Sequence, residues 1–423
     1  GEGNRHWDEG EEYDDANGNG EWDDFREPME LSTYIQNVFE VPWMVINAGV
    51  RLDAVNYNTA VWADPDGNPS PNAPYYFADI GEDGQPNTGD PGENDDQWNY
   101  NEPYDDNPGF AQQKVMFTDA KWFYKVSPRL GFSHVITDQA TFTFNYGIYY
   151  QTPRYAYVYL NTSRLEDPEE LFEESEGELG NATMNAERAQ MYEWAFNIQM
   201  NRYWAFSMGA WVKNTDQMVT AKINRSGVYE FYVFSNGDYG SAKGIDFTLQ
   251  NRGMLINTML QYTYSVAKAN REYPWQSVGS LLVDAPSQEY LAYYDRTHDL
   301  TLSLYTMLPF GIMTSLTGFY QSGAPYTPLV FDGDKPRSDD KNPNSKRAPA
   351  YNNINLSFSK YVNWGGTRVS LGMNVYNLIN QKNAIDIWPL TGKPDDPGEY
   401  YLDEVGLPID GGTVSGSYYD QPW

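Results

Sequence analysis

The sequence predicts an all-β chain, an antiparallel up-and-down transmembrane β-barrel. Three observations carry this expectation. Twelve stretches alternate apolar and polar residues, each about ten positions long, as a tilted membrane-crossing strand requires. Very short turns and very long polar loops join them in strict alternation, as in a barrel with tight turns on one side and long loops on the other. No run approaches the roughly 20 apolar residues of a spanning helix.

Taken in order, the strands are expected at 31–40, 43–54, 128–136, 140–151, 188–200, 203–213, 239–251, 254–267, 293–307, 310–322, 350–362 and 366–377. In 140–151, Phe142, Phe144, Tyr146, Ile148 and Tyr150 share one face, and Thr141, Thr143, Asn145, Gly147 and Gln151 share the other. In 190–200, Tyr192, Trp194, Phe196, Ile198 and Met200 oppose Met191, Glu193, Ala195, Asn197 and Gln199. The same alternation sets Ile354, Leu356 and Phe358 against Asn353, Asn355 and Ser357, and Val369, Leu371 and Met373 against Arg368, Ser370 and Gly372. A period of two means strand, because successive side chains leave opposite faces of a sheet. The short turns are centred on Pro42, Asp138, Arg202, Gly253, Pro309 and Trp364; the long connections 55–127, 152–187, 214–238, 268–292 and 323–349 are rich in Asp, Asn, Gly, Pro and Tyr, residues that favour loops.

The chain has 423 residues and a net charge of −31, a balance that argues against nucleic acid as a partner. Mean hydropathy is −0.67, low for a membrane protein; a barrel escapes that objection because only one face of each strand meets lipid. Cysteine is absent, which fits an oxidising envelope compartment. Aromatic residues are expected to mark two interfaces: Trp43, Tyr203, Trp204, Phe310 and Trp364 beside the short turns, and Tyr149, Tyr150, Trp211, Tyr264, Tyr320 and Tyr376 at the far strand ends.

With short turns facing the periplasm and long loops facing outside, residues 1–30 form an acidic extracellular loop, 31–377 the strands and their loops, and 378–423 a further extracellular loop before a closing strand that the sequence does not contain. Open strand edges are not tolerated in lipid. The expectation is therefore a stretch of a larger barrel, with neighbouring strands upstream and at least one more after Trp423.

Four segments, in order, carry a resemblance. KVSPRLGFSHVITDQATFTFNYGIYYQTP (125–153), GNATMNAERAQMYEWAFNIQ (180–199), RTHDLTLSLYTMLPFGIMTSLTGFYQSGAPYTP (296–328) and VSLGMNVYNLINQKNA (369–384) resemble strand and hairpin motifs of TonB-dependent outer-membrane receptors. Ala182 departs from the pattern, where proline is usual. The resemblance implies a barrel of about 22 strands, a Gram-negative outer-membrane location, and energy-driven uptake of a large or scarce ligand such as a metal chelate, glycan or peptide. It also implies as partners outer-membrane lipid, a plug domain and TonB. No plug and no TonB box are recognisable in this stretch. A passive porin or an adhesin-like barrel is the alternative, and a barrel hydrolase comes behind it.

Residues 15–24, DANGNGEWDD, fit the start of a calcium loop, D-x-[DN]-x-[DN]-G. Asp15, Asn17 and Asn19 would supply side-chain oxygens, Glu21 its carbonyl, and Asp23 a ligand directly or through water. Arg26 stands where an EF-hand requires a bidentate Glu, so any such loop is of another kind; calcium is the one cofactor expected. A second copy aligns Asn4–Asp8 with Asn19–Asp23.

The carboxylates of 79–107 show no ligand spacing and read as a solvated loop, and 167–174 reads as an Asp-capped helical turn. His298-Asp299 reads as structural rather than as a catalytic dyad. Arg51, Asp53, Arg129, Glu193 and Asp246 fall on the polar face by alternation, where they are expected to form charge networks against a plug.

Overall fold

The computed structural model describes residues 27–71, 73–95, 98–105, 113–162, 165, 177–226, 229–270 and 289–401. One sheet of fourteen strands dominates it; two of these are short side pairings, and the other twelve follow one another in chain order. They are β1 (Met29–Val41), β2 (Met44–Asn56), β3 (Phe123–Thr137), β4 (Ala140–Gln151), β5 (Glu187–Gln199), β6 (Trp204–Ser226), β7 (Tyr229–Arg252), β8 (Ile256–Ala269), β9 (His298–Leu308), β10 (Ile312–Gln321), β11 (Tyr351–Trp364) and β12 (Thr367–Val375). Every neighbouring pair is antiparallel, and all twelve expected strands are present. β1 and β12 end the sheet, and they do not pair with each other among the described residues.

Register makes the two faces explicit. One row runs Phe132, Phe144, Trp194, Ala210, Ile245, Tyr264 across six strands. The aromatic members touch, Phe144 lying 5.5 Å from Phe132 and 5.9 Å from Trp194 between ring centroids. The adjacent row on the opposite face runs Asn47, Gly131, Asn145, Glu193, Trp211, Gly244, Ser265. A one-residue slip would exchange these faces, so the pattern itself fixes the register.

The largest departure from expectation is the segment 214–238. Instead of a polar loop, β6 and β7 continue through it as a long hairpin. A bulge interrupts their ladder between Thr215 and Val219, with Gln217 at φ 57°; the extra residue bends the strand without ending it. Beyond the bulge Val219, Thr220 and Ala221 are all buried. With both faces covered, the alternation that marks the lower strands disappears, and Asn, Gly and Asp at 236–238 imitate a break.

What covers those faces is a cap at the long-loop end, which holds most of the buried apolar side chains. One cluster joins Val55, Tyr57, Val61, Val158, Met184, Val219 and Phe234; a second joins Trp62, Tyr76, Val115, Leu179, Phe231 and Val233. Short strands pair Ala60–Trp62 with Phe117–Asp119, and Tyr76–Ala78 with Gln113–Val115. Glu178–Leu179 adds in parallel to β7. Asn181 ties these pieces together: its amide donates to the Phe234 carbonyl at 2.8 Å, and its Oδ1 accepts from the Thr183 amide at 2.8 Å. The connections 55–127 and 152–187 are thus partly cored rather than simply polar loops.

Asparagine side chains act as peptide groups where strands part. Asn236 Oδ1 accepts from the Asn185 amide at 2.7 Å while its Nδ2 donates to the Asn185 carbonyl at 3.0 Å. Asn383 treats Asn352 the same way, at 2.9 and 2.7 Å. Each carboxamide satisfies a backbone donor and acceptor that would otherwise lack a partner.

Candidate functional site

The polar face is the concave one. A recess of about 660 Å³ lies against it, lined by residues that include Asn47, Gly49, Arg51, Arg129, Asn145 and Glu193. Arg51, Asp53, Arg129, Glu193 and Asp246 all fall on this face by register, as alternation places them. Their partners are more varied than a charge network. Arg51 Nε meets Asp53 Oδ1 at 2.8 Å. Arg129 lies instead over the Tyr149 ring, 4.8 Å from its centroid, a cation–π contact. Asp246 accepts from Trp211 Nε1 at 2.9 Å and from Thr263 Oγ1 at 2.6 Å. Tyr149 and Trp211 therefore belong to the concave wall and not to the interface girdle expected of them; both stand at positions of polar-face parity, a signal that their aromatic character obscured.

Glycine makes room for these rings. A Cβ on Gly244 would come within 2.8 Å of Trp211, so Gly244→Ala is expected to push the indole aside and break its bond to Asp246. A shift in tryptophan emission, with about 1 kcal/mol lost in thermal melts, checks this.

His298 and Asp299 leave opposite faces. His298 stands opposite Tyr264 on the apolar face and its Nδ1 lies 2.8 Å from Tyr262 Oη, while Asp299 accepts from Gln321 at 2.8 Å on the polar face. The two cannot act as a dyad.

Among the described residues of the acidic connection 79–107, part is packed rather than solvated: Asp79 and Glu102 are buried, while 82–89 are exposed. Glu102 is buried and accepts from the amides of Ile80, Gly81 and Asn99 at 3.0, 2.9 and 2.7 Å. Such carboxylates organise backbone, a role that spacing alone does not reveal. Among the described residues, no three His, Asp or Glu side chains are grouped to hold a metal ion. Asp15, Asn17, Asn19, Glu21 and Asp23 lie outside the described residues, as does 167–174.

Sequence reasoning missed the pair Asp295–Arg347. Asp295 is fully buried, and Arg347 Nη2 reaches its Oδ2 at 2.5 Å. Asp295 Oδ1 accepts from the Ala267 amide at 2.6 Å, and Arg347 Nη1 donates to the Gly323 carbonyl at 3.0 Å. Fifty-two positions separate the partners, and no local signal links them.

Tyrosines join the cap to β1. Tyr155 Oη donates to Glu30 Oε1 at 2.6 Å. That bond, helped by burial and the Glu30 charge, holds the Tyr155 phenol up at about 12; Tyr57 is raised as well, chiefly by burial. A phenol raised above its unfolded value of about 10 contributes stability that is complete below that value and is lost as pH climbs through the folded one. Melts in detergent are therefore expected to hold level up to pH 10 and to fall between pH 10 and 12, with a shallower fall for Tyr155→Phe.

The family model described as TonB dependent receptor-like, beta-barrel matches residues 3–378. The chain belongs to that family. Solved structures share the fold of this TonB-dependent receptor-like barrel. The outer membrane transporter YddB from Escherichia coli is 9% identical over 85% of this chain and 51% of its own, with a TM-score of 0.52. A double mutant of the Serratia marcescens hemophore receptor HasR, in complex with its hemophore HasA and heme, is 14% identical over 84% and 49%, with a TM-score of 0.51. The FrpB iron transporter from Neisseria meningitidis is 12% identical over 84% and 41%, with a TM-score of 0.50. The chain spans about half or less of the length of these structures. No curated protein matches it.

Proposed function

We propose that this chain forms barrel wall in an outer-membrane active transporter of a Gram-negative bacterium, working with a plug domain and TonB. The observation that carries the reading is the family match over residues 3–378, supported by a sheet with one apolar face and one polar, concave face. The ligand class is a metal chelate, a glycan or a peptide, met first by the aromatic-rich cap. Relatives titled as an iron transporter and as a hemophore receptor favour the metal-chelate member of that set.

The test is uptake of labelled ferric chelates by cells expressing the full-length protein, with and without functional TonB. Accumulation that vanishes without TonB supports the reading. Ion conductance in planar bilayers with no dependence on TonB would instead make the protein a passive pore.

We also propose that Asp15, Asn17, Asn19, Glu21 and Asp23 bind calcium, on the strength of their spacing. Titration of calcium into the protein should change Trp22 fluorescence, and an unchanged signal at millimolar calcium removes the proposal.

A further inference from the structure

A second recess, of about 400 Å³, opens at the long-loop end of the concave wall, where β1 to β4 meet the cap. Its size falls in the range of small-molecule sites, about 300–1,000 Å³. One side chain in its lining is unsatisfied. Tyr57 is 1% exposed, and its ring is fixed beside those of Phe123 and Tyr159, 5.8 and 6.5 Å away between centroids. Its carbonyl accepts from Tyr159 Oη at 2.6 Å, but its hydroxyl has no hydrogen-bond partner among the described residues. The hydroxyl oxygen is not one of the fully enclosed unpartnered atoms, so it still meets open space, and the open space beside Tyr57 is the recess. Burial keeps the phenol protonated far above neutral pH, so it stands as a fixed donor and acceptor. A buried hydroxyl without a partner costs free energy, which a ligand seated here recovers.

The lining carries two cations, Arg51 and Lys125, and two carboxylates, Glu30 and Asp53. They are interleaved rather than set at opposite ends. Arg51 Nε donates to both Asp53 oxygens, at 2.8 and 3.1 Å, and its terminal nitrogens have no partner among the described residues. Asp53 stands opposite Lys125 in the ladder, and Lys125 Nζ donates to Asn185 Oδ1 at 3.1 Å. The Gln151 carboxamide, also in the lining, is likewise without a partner among the described residues. A ligand of net charge meets attraction and repulsion side by side here. A neutral ligand with adjacent hydroxyls, each able to donate and accept, meets both signs favourably. Val55 and Phe123 add an apolar patch to the same lining. A sugar ring divides its surface in the same way, with hydroxyls around the rim and C–H groups on the faces.

We propose that this recess is a subsite for a neutral sugar residue, whose hydroxyls pair with Tyr57, Arg51, Asp53 and Gln151 and whose C–H face packs on Val55 and Phe123. The inference rests on the transporter reading above. From its ligand set it takes the glycan for this recess on geometry, where the titles of distant relatives lean to a chelate.

The test is binding of the full-length protein, in detergent, to an array of neutral, sialylated and sulfated oligosaccharides. Neutral glycans should be retained, and their charged counterparts should bind more weakly. Y57F should bind the retained glycan about fivefold more weakly, the loss of one hydrogen bond. Its melting temperature should not fall, because the hydroxyl has no bond to lose within the protein. Q151L, which alters an exposed side chain, should weaken binding in the same way and repeats the test without touching the cap cluster. Y320F, on the apolar face of β10 opposite Leu300, should bind as wild type. A silent array overturns the proposal, as does a preference for charged glycans, or binding by Y57F and Q151L equal to wild type. TonB-dependent uptake of a ferric chelate beside a silent array would remove this proposal alone. TonB-independent conductance would remove the transporter reading and leave the array result standing.

Discussion

Phe234→Ala should loosen the cap and leave the sheet standing. The Phe234 ring is almost fully buried and lies 4.8 Å from that of Tyr157 between centroids, in the cluster that joins β2, β6 and β7 to the loops above them. Removing a buried phenyl group costs about 3–5 kcal/mol. The strands below do not depend on that cluster: their ladders are closed by backbone hydrogen bonds along each hairpin. Hydrogen exchange in detergent should show faster exchange at 57–62, 115–120, 179–184 and 219–236, with β4 and β5 protected as in wild type. Equal loss of protection in β4 and β5 would show that cap and sheet are a single cooperative unit.

A comparable loss is expected at the other side of the long-loop end when Arg347 is replaced by alanine. The substitution leaves Asp295 buried without its counter-charge, which costs about 3–5 kcal/mol, whereas removing both charges costs far less. Thermal melts of R347A against D295N/R347M in detergent check the difference, and exchange at the Ala267 amide, which donates to Asp295, locates it. Gly323 supports the same junction. A Cβ there would fall 1.7 Å from the Ala348 carbonyl oxygen, so G323A should separate the two segments as R347A does. Melts in which R347A matches wild type would mean that the pair adds nothing to stability.

Most of the sheet is legible in the sequence because its strands have unlike faces. Wherever one face meets apolar surroundings and the other polar ones, as in β4, β5, β11 and β12, period two writes the strand directly, and parity alone places Arg51, Asp53, Arg129, Glu193 and Asp246 on the concave side. Legibility fails where that asymmetry ends. β6 and β7 above their bulge are covered on both faces, so alternation is lost. The cap's apolar residues are scattered among Asp, Asn and Gly in connections of low average hydropathy, and only folding gathers Tyr57, Val158 and Phe234. Asp295 and Arg347 are each unremarkable locally, and their meaning comes from a contact across distant loops. Pro128 shows the limit at a boundary: β3 begins at Phe123, five residues before its expected start, and its ladder to β4 begins only at Arg129, one residue past a proline that has no N–H to give.

The separate interior of the cap has a consequence for how such a surface can change over generations. Its cohesion comes from clusters set behind its tips, so exposed segments such as 83–89 and Tyr100 are free to accept substitutions and insertions without disturbing the alignment of the strands beneath. Novelty at those tips is thereby insulated from the demands of pairing one strand with the next.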